Sequence, residues 1–245
     1  MKKIKQFIQI LLDFLFPKYC ILCQKKNDNF LCFNCFKTIT FKDPSCPNCN
    51  TTSHIGEFCP ACQNKFSLRG VLSAGDFSNK NLNIIIKNYK YKFVKDLAYP
   101  LALYLSTFLE NNFLPSPILK NISTTNILVL SDFLLIPVPL SKKRQRWRDF
   151  NHSELLAKII AKKFNLKLSL DLKKIKDTSN QATLEKEKRI NNLTNSFKWQ
   201  GPSLKGQKIL IIDDVCTTIS TLNEIASELK KHQAGEIWGL VLAKG

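Results

Sequence analysis

Two adjacent carboxylates at the end of a short apolar run constrain this sequence more than any other feature. Residues 209–212 read Ile-Leu-Ile-Ile, a run typical of a strand that is buried on both faces of a parallel sheet. Asp213 and Asp214 follow directly. Ligands of open α/β sheets bind beyond the carboxyl ends of the strands. The run therefore predicts an α/β fold with a polar site at this edge of the sheet.

A hydroxyl-rich turn and a helix follow the acidic pair. The pattern Thr221-x-x-Glu224 predicts a capping box that opens the helix at Thr221. Backbone N–H groups at a helix start can hold a phosphate, and carboxylates can accept hydrogen bonds from ribose hydroxyls. The stretch is thus a candidate sugar-phosphate site. The alternative is a buried strand with a polar, capped exit and no ligand.

This stretch resembles the phosphoribosyl pyrophosphate (PRPP) loop of type I phosphoribosyltransferases, an apolar run followed by Asp-Asp-Val-x-Thr-Thr-Gly-x-Thr. The resemblance implies that Asp213 and Asp214 bind the ribose hydroxyls. Ile219 stands where that family usually has Gly, which tolerates backbone conformations that a β-branched residue resists. The loop can form if Ile219 takes an ordinary conformation, but its phosphate affinity is then in question. The residues implied to wrap the 5′-phosphate are Thr217, Thr218, Ile219, Ser220 and Thr221.

Eight of the nine cysteines form four Cys-x-x-Cys pairs near the start of the chain. Each pair places two sulfurs on one tight turn, and four pairs supply the ligands of two structural zinc ions with four cysteines each. We expect serial pairing, with a cross-braced arrangement as the open alternative, and disulfides as a further one. His54 and Cys216 are expected to be incidental. The predicted ligands are Cys20, Cys23, Cys32, Cys35, Cys46, Cys49, Cys59 and Cys62.

The net charge of +18 indicates anionic partners such as nucleic acid, nucleotides, phosphates or an acidic membrane surface. A Lys-Asn-Ile-rich composition, which a nucleotide-biased genome can produce, accounts for part of that charge. Only five of the 37 basic residues are Arg, and three of them lie at Arg144, Arg146 and Arg148. They follow the strand predicted over residues 133–138. This second loop could grip phosphate by bidentate contacts, or it could be a solvated basic turn.

The chain divides near residue 68 into an N-terminal part, residues 1–68, and a domain of alternating strands and helices, residues 69–245. Residues 7–16 predict an amphipathic helix that ends before Pro17 and packs on the protein, with docking to a membrane surface as the alternative. The run is too short to span a bilayer. Residues 111–126 and 177–193 are predicted loops, the second one mobile. Strands are predicted over 71–77, 133–138, 197–199, 208–213 and 237–243, and helices over 81–90, 94–109 and 151–164. The last helix has a capping-box-like start, Asn151-x-x-Glu154.

The order of these motifs resembles the ComF family over almost the whole chain. Residues 137–140, Pro-Val-Pro-Leu, with Arg144 and the segment Arg-Asp-Phe-Asn-His at 148–152, are similar to the family pattern Pro-x-Pro-Leu, Arg, Arg-Gly-Phe-Asn-Gln. Residues 177–181, Arg189-x-x-Asn192 and Phe197 are similar to its Thr-x-x-Gln, Arg-x-x-Asn and Phe segment. The four cysteine pairs are similar to its double zinc ribbon. Asp149 and His152 depart from the pattern, replacing Gly and Gln.

The resemblance implies a type I phosphoribosyltransferase-like parallel sheet flanked by helices and preceded by a small double zinc-ribbon domain. It implies a role in DNA uptake during natural transformation, with binding of PRPP or related phosphates and of single-stranded DNA. The expected location is the cytoplasm or the inner face of the membrane, alongside a helicase-like partner.

Two alternatives accompany that function. One is an active phosphoribosyltransferase that transfers ribose 5-phosphate from PRPP with magnesium and releases pyrophosphate. Asp213 and Asp214 would then hold the ribose, Arg148 the pyrophosphate, and Arg189 would close over the site with its loop. The other is a non-catalytic adaptor in which the zinc ribbon binds a partner protein.

Overall fold

A five-stranded parallel sheet flanked by helices forms the centre of the protein in a computed structural model. The structure describes residues 17–92, 94–113, 129–141, 145, 150–176 and 195–245. The N-terminal helix predicted before Pro17, most of the loop predicted over 111–126 and the loop predicted over 177–193 lie outside these ranges. The helices are α1 (Phe33–Lys37), α2 (Pro60–Gln63), α3 (Lys80–Tyr91), α4 (Ala98–Phe113), α5 (His152–Phe164) and α6 (Ser220–Lys231). The strands are β1 (Gly70–Asp76), β2 (Phe133–Pro137), β3 (Lys167–Leu168), β4 (Leu172–Lys174), β5 (Phe197–Trp199), β6 (Lys208–Cys216) and β7 (Ile237–Lys244).

The sheet has the order β1-β7-β6-β2-β3, and every neighbouring pair is parallel. The two strands at its centre, β6 and β7, are buried along most of their length, as expected for strands covered by helices on both faces. Helices α3, α4 and α5 pack on one face, and α6 packs on the other through Leu222, Ile225, Ala226 and Leu229. The predicted α/β fold class is confirmed.

A second, two-stranded antiparallel sheet of β4 and β5 lies outside the main sheet. The strand predicted at Phe197–Trp199 is confirmed, but it pairs with β4 and not with the central strands. Trp199 and Phe197 are buried against the α6 side of the core. Strands β3 and β4 were not predicted, because two and three residues are too short to show a period of two.

The remaining predicted elements agree with the structure apart from their ends. The helix predicted over 94–109 begins as a 3₁₀ turn, Lys95–Leu97, and continues as α4 to Phe113. The strand predicted to end at Asp213 continues to Cys216, because β7 remains paired beside it up to the register Cys216↔Lys244. No helix in the described part of the chain is both long and apolar enough to cross a bilayer.

The cysteine-rich segment packs tightly on the sheet domain. Leu31 and Ile39 are buried in the same hydrophobic cluster as the central strands. The hydroxyl of Tyr104 on α4 lies 3.0 Å from the carbonyl oxygens of both Thr40 and Ala74. The Phe41 and Tyr104 rings stack with their centroids 4.9 Å apart. The two parts of the chain therefore share one apolar core at this contact, on either side of the boundary predicted near residue 68.

Candidate functional site

The acidic pair lies on β6 at the point where its neighbour β2 ends. Pro137 of β2 pairs with Ile212, and the N–H of Val138 donates to the Ile212 carbonyl at 2.9 Å. Beyond that register β7 is the one described strand that continues beside β6, so no described strand pairs with the other side of β6 at Asp213 and Asp214. The acidic pair therefore lies within β6 and just beyond the end of β2, rather than after the end of its own strand as predicted.

Each carboxylate is tied to the protein through one of its two oxygens. Oδ1 of Asp213 accepts from Ser153 Oγ at 2.9 Å and from the N–H of Asp214 at 2.8 Å. Oδ1 of Asp214 accepts from the N–H of Val215 at 2.6 Å and lies 2.8 Å from Lys90 Nζ. The second oxygen, Oδ2, of each carboxylate receives no hydrogen bond from any residue that the structure describes. These two oxygens can accept from a ligand.

The acidic pair lies in a buried, unequal electrostatic environment. Burial and the neighbouring charge of Asp214 raise the pKa of Asp213 to about 7. Burial also opposes ionisation of Asp214, but the ammonium of Lys90 holds the pKa of that carboxyl below its ordinary range. Burial likewise acts against the charge of Lys90, and Asp214 more than offsets it, so the pKa of Lys90 is raised. At neutral pH the Asp214–Lys90 pair is therefore ionic, and Asp213 titrates near that pH.

Lys90 and Ser153 were not predicted as site residues. Lys90 is one of many lysines and ends helix α3 more than 100 residues before Asp214, so no local pattern marks it. Ser153 is buried in the first turn of α5 behind the N-cap Asn151, whose side chain accepts from the N–H groups of Ser153 and Glu154. The Asn151 cap was predicted, and it is the only sequence signal near Ser153.

Tyr89 and His152 fasten the two helices that supply Lys90 and Ser153. The Tyr89 hydroxyl donates to the His152 carbonyl at 2.9 Å, and His152 Nε2 lies 2.8 Å from the Tyr89 carbonyl. Both side chains are buried, and their rings meet edge to face with centroids 4.7 Å apart. His152, which departs from the family pattern, is therefore part of the core directly beneath the acidic pair.

The loop after the acidic pair forms with Ile219 in an ordinary conformation, with φ −67° and ψ −14°. Its side chain is buried with the apolar face of α6, and its backbone conformation does not require Gly. Thr217 is exposed, and Thr218, Ser220 and Thr221 are partly exposed. The predicted capping box is wrong. Helix α6 begins at Ser220 with Ile219 as an uncapped N-cap, because the helical conformation already starts at Ile219.

Two other residues of this segment have structural roles. Glu224, the expected partner in the capping box, accepts instead from the N–H of Asn195 at 2.7 Å. Cys216 is buried, and burial raises the pKa of its thiol to about 12, so it is a weak nucleophile.

The arginines predicted for the site, Arg144, Arg146 and Arg148 after β2 and Arg189 in the loop over 177–193, lie outside the described residues. The described residues on either side of the loop after β2 border a cleft of about 550 Å³ between the end of β2 and the strand β4. Neither the acidic pair nor residues 217–221 line this cleft. The cleft lies next to the acidic pair through Asn151, which borders it two residues before Ser153. Its other lining residues are Pro137, Pro139, Leu140, Gln145, Glu154, Leu170, Leu172, Lys173, Lys174, Ile175, Lys176 and Gln200.

The eight predicted cysteine ligands form two separate tetrads in serial order. The sulfurs of each tetrad lie within 4.8 Å of one another. Cys23 and Cys32 Sγ are 3.8 Å apart, and Cys49 and Cys59 Sγ are 3.6 Å apart. Four thiolates at about 2.3 Å from a tetrahedral zinc have sulfurs about 3.8 Å apart, so both tetrads fit this ion. The first tetrad is Cys20, Cys23, Cys32 and Cys35, and the second is Cys46, Cys49, Cys59 and Cys62.

In each tetrad a backbone N–H group points at one cysteine sulfur. The N–H of Cys32 points at Cys20 Sγ at 3.4 Å, and the N–H of Cys59 points at Cys46 Sγ at 3.5 Å. Although burial opposes it, N–H groups of the surrounding turn lower the pKa of Cys20 to about 6. The Thr51 hydroxyl is the main cause that lowers the pKa of Cys49 to about 6. In the same tetrads, burial is the main cause that raises the pKa of Cys35 to about 12, and the hydrogen bond with Cys49 is the main cause that raises the pKa of Cys59 to about 12. Each tetrad thus contains both a lowered and a raised thiol, and a zinc ion would favour the thiolate at all four sulfurs.

Comparisons with known proteins agree with both parts of the structure. A family model for a double zinc ribbon domain matches residues 11–63, and one for a phosphoribosyl transferase domain matches residues 151–244. Competence protein F of Haemophilus influenzae is 29% identical over 236 residues, which cover 91% of this chain and 96% of that protein. The DNA utilization protein YhgH of Salmonella typhimurium is 28% identical with the same coverage. Competence protein ComFC of Bacillus subtilis is 22% identical over 92% of this chain and 94% of that protein.

Proposed function

Because this chain belongs to the competence protein F (ComF) family, with a double zinc ribbon and a phosphoribosyltransferase domain, we propose that it acts in DNA uptake and binds PRPP or a related phosphorylated ribose. Two relatives that this chain matches over nearly their whole length are named as a competence protein and a DNA utilization protein. These names support the first half of the proposal. The acidic pair on β6 supports the second half.

The observation that carries the ribose site is the pair of available Oδ2 oxygens on Asp213 and Asp214. A ribose presents two neighbouring hydroxyls, and each needs an acceptor. The Oδ1 oxygens are already occupied by Ser153 Oγ, Lys90 Nζ and backbone N–H groups, which fix the orientation of both carboxylates. Carboxylates held in this way are pre-organised to bind a diol, because little side-chain freedom is lost when the ligand arrives.

The start of α6 suits the 5′-phosphate. The backbone N–H of Asn223 donates to the Ile219 carbonyl at 2.8 Å, the first hydrogen bond of the helix. The backbone N–H groups of the residues before Asn223 in this first turn therefore have no partner within the helix. The partly exposed hydroxyls of Thr218, Ser220 and Thr221 lie in the same turn. Backbone donors and the helix dipole together favour a phosphate at this place.

Magnesium would accompany PRPP chiefly through the oxygens of the pyrophosphate. In the described ranges, the clusters that could hold a metal are the two cysteine tetrads, and the acidic pair does not form a third. This fits an ion that keeps several waters and binds through phosphate oxygens rather than in a protein cage. The chain's own contribution is to position the ribose and its 5′-phosphate.

Thermal unfolding with ligands tests this site. Magnesium with PRPP should raise the unfolding temperature by several degrees at saturating concentration, since a ligand that binds only the folded state stabilises it. Ribose 5-phosphate should act more weakly and pyrophosphate alone more weakly still. No shift with PRPP at any concentration would refute the proposed site.

The DNA part of the proposal predicts salt-dependent binding of single strands. The net charge of +18 supports attraction of phosphates, and lysine contacts act through release of counterions. Fluorescence anisotropy with a labelled single strand should show tight binding at low salt that weakens steeply as salt rises. Absence of binding at low salt would refute it. The same family membership supports a cytoplasmic location, contact with the inner face of the membrane and a helicase-like partner.

A second candidate function, transfer of ribose 5-phosphate from PRPP to an acceptor, is favoured by the cleft beside the acidic pair. Its volume of about 550 Å³ lies in the range of small-molecule sites, and its lining residues Asn151 and Glu154 flank Ser153, the hydrogen-bond partner of Asp213. Catalysis would come from positioning and charge stabilisation, with Arg148 at the pyrophosphate and Arg189 at the covering loop. Release of pyrophosphate from PRPP in a screen of bases and nucleotides tests it, and a screen with no release by wild-type protein would argue against it.

A further inference from the structure

We propose that the outer face of the first ribbon, residues 18–37, is the surface that binds single-stranded DNA, with Tyr19 and Phe33 as stacking residues. The proposal rests on the DNA-uptake function proposed above and names the surface that performs it. It is carried by exposed aromatic rings, an excess of lysines and a rigid inner attachment, and the rings and lysines distinguish the first ribbon from the second.

Two large aromatic side chains are exposed beside the first tetrad. The exposed fraction is 48% for Tyr19 and 67% for Phe33. Each is the chain neighbour of a tetrad cysteine, Tyr19 of Cys20 and Phe33 of Cys32, and the N–H of Cys32 lies 3.4 Å from Cys20 Sγ. Both exposed rings therefore flank the same tetrad. Every base offers a π-face, so exposed rings of this kind suit stacking without sequence preference.

Lysines surround these rings. Lys26 lies opposite Tyr19 in an antiparallel bridge, and Lys25 precedes it with an exposed side chain. Lys37 Nζ lies 4.3 Å from the centroid of the Phe33 ring. Asp28 is the only acidic residue among residues 18–37. A base that stacked on either ring would thus have an ammonium group close to its phosphate.

The opposite side of the first ribbon is fixed to the domain. Leu31 is buried in the main hydrophobic cluster. Asn81 Nδ2 of α3 donates to Thr38 Oγ1 at 3.0 Å, and Lys18 Nζ lies 3.2 Å from Asp96 Oδ2. The first ribbon is therefore attached to the sheet domain, and stacking on its rings requires little ordering of the protein.

The second ribbon is also attached to the sheet domain, but it lacks the exposed rings and the lysines. Residues 43–64 contain Asp43 and Glu57 and no lysine or arginine. The Phe58 ring is buried and stacks on Phe66 with centroids 4.4 Å apart. Directly after Phe66, the N–H of Ser67 donates to Asn223 Oδ1 of α6 at 2.7 Å. The second ribbon is thus a structural support for the helix at the candidate phosphate site.

Charge complementarity identifies the occupant of the first ribbon as a polyanion with flat, apolar groups. A membrane surface is less suitable, because interfacial binding needs a continuous apolar face and here the rings alternate with lysines. Single-stranded DNA presents bases and phosphates in the same alternation.

Fluorescence anisotropy with a labelled oligothymidine of about 20 nucleotides tests the proposal in the full-length protein. The double variant Tyr19→Ala/Phe33→Ala should bind at least about tenfold more weakly than wild type, since stacking contributes about 1–3 kcal/mol per base. The matched control is Tyr99→Ala on α4, whose side chain is also 67% exposed and lies in the sheet domain. The control should bind like wild type. Equal affinity of the double variant and wild type would overturn the proposal.

Lysine variants provide a second test that does not depend on the aromatic changes. Lys25→Gln/Lys26→Gln should weaken binding and lower the salt slope by about 1–2, because each phosphate contact contributes about 0.7 to that slope for single strands. Both double variants should retain two zinc ions per chain, which shows that the tetrads are intact. An unchanged salt slope would overturn the role of the lysines.

Two further outcomes separate this proposal from its premise and from its rival. If wild-type protein binds no single strand at low salt, the proposed DNA function itself fails. If the Tyr19→Ala/Phe33→Ala variant keeps DNA binding but loses binding to vesicles of anionic phospholipid, the face belongs to a membrane contact and the proposal is wrong.

Discussion

The ammonium of Lys90 lies 2.8 Å from Oδ1 of Asp214, and this buried ion pair joins the end of α3 to the acidic pair on β6. The side chains are only 18% and 11% exposed, so neither charge is well hydrated when the other is absent. Ser153 holds Asp213 from α5 in the same way. The candidate ribose site thus depends on two helices that contribute no residue to its motif.

Lys90→Met should destabilise the protein by about 3–5 kcal/mol, because it leaves the carboxylate of Asp214 buried without a partner. It should also raise the pKa of Asp214. Urea unfolding gives the first quantity, and carboxyl NMR titration gives the second. Lys87→Met is the matched control, since Lys87 is exposed on the same helix. Equal losses in the two variants would show that the ion pair is not the cause.

Asp213→Asn should become increasingly stable relative to wild type as the pH rises from 5 to 8. The pKa of Asp213 is raised to about 7, so between about pH 4 and 7 the folded protein holds a proton that the unfolded chain has released. Wild-type stability from this group is therefore lost as the pH rises. Asparagine imitates the protonated form at every pH. Thermal unfolding at both pH values measures the difference.

The control for this pH dependence is Asp76→Asn, because the pKa of Asp76 is lowered where that of Asp213 is raised. Lys42 Nζ lies 2.7 Å from Asp76 and lowers the pKa of that carboxyl to about 2. Its stabilising effect is complete above the ordinary pKa and is lost only as the pH falls toward 2. Asp76→Asn should therefore lower the unfolding temperature equally at pH 5 and pH 8. A parallel pH profile for Asp213→Asn and Asp76→Asn would contradict the account of Asp213.

The two tetrads should bind zinc independently. Wild-type protein should contain two zinc ions per chain after dialysis, Cys23→Ser should lose the first and Cys49→Ser the second. Cys216→Ser should retain both, since Cys216 lies outside either tetrad. Elemental analysis checks these counts. Loss of both ions from a single ligand variant would show that the sites are coupled rather than separate.

His152→Gln should fold and bind PRPP nearly as wild type does. The Gln side chain can still donate to the Tyr89 carbonyl that His152 Nε2 contacts at 2.8 Å. His152→Leu should cost about 1–3 kcal/mol, because it leaves this buried carbonyl without a donor. Chemical unfolding of both variants tests this, and a larger loss for His152→Gln than for His152→Leu would refute the role of the hydrogen bond.

The sequence predicted the features that are local in the chain. A continuous apolar run before Asp213, the Asn151 cap and the Cys-x-x-Cys spacing each encode their structure within a few residues. The strand before Asp213 and both tetrads follow from them. The two separate clusters confirm the predicted serial pairing of the tetrads and exclude the cross-braced alternative.

The partners of the acidic pair could not be predicted, because they are fixed by topology. Lys90 and Ser153 reach β6 only after α3 and α5 pack on the same face of the sheet. The start of α6 was misplaced for a related reason. Burial of Ile219 in the core decides where that helix begins, and it overrides the capping preference of Thr221.

Calorimetric titration of magnesium with PRPP into wild type, Asp214→Asn and Asp76→Asn tests the central claim most directly. The account predicts saturable binding to wild type and to Asp76→Asn, and at least tenfold weaker binding to Asp214→Asn, with circular dichroism showing that all three are folded. Absence of binding to wild type, or equal affinity of all three proteins, would contradict a ribose-phosphate site at Asp213 and Asp214.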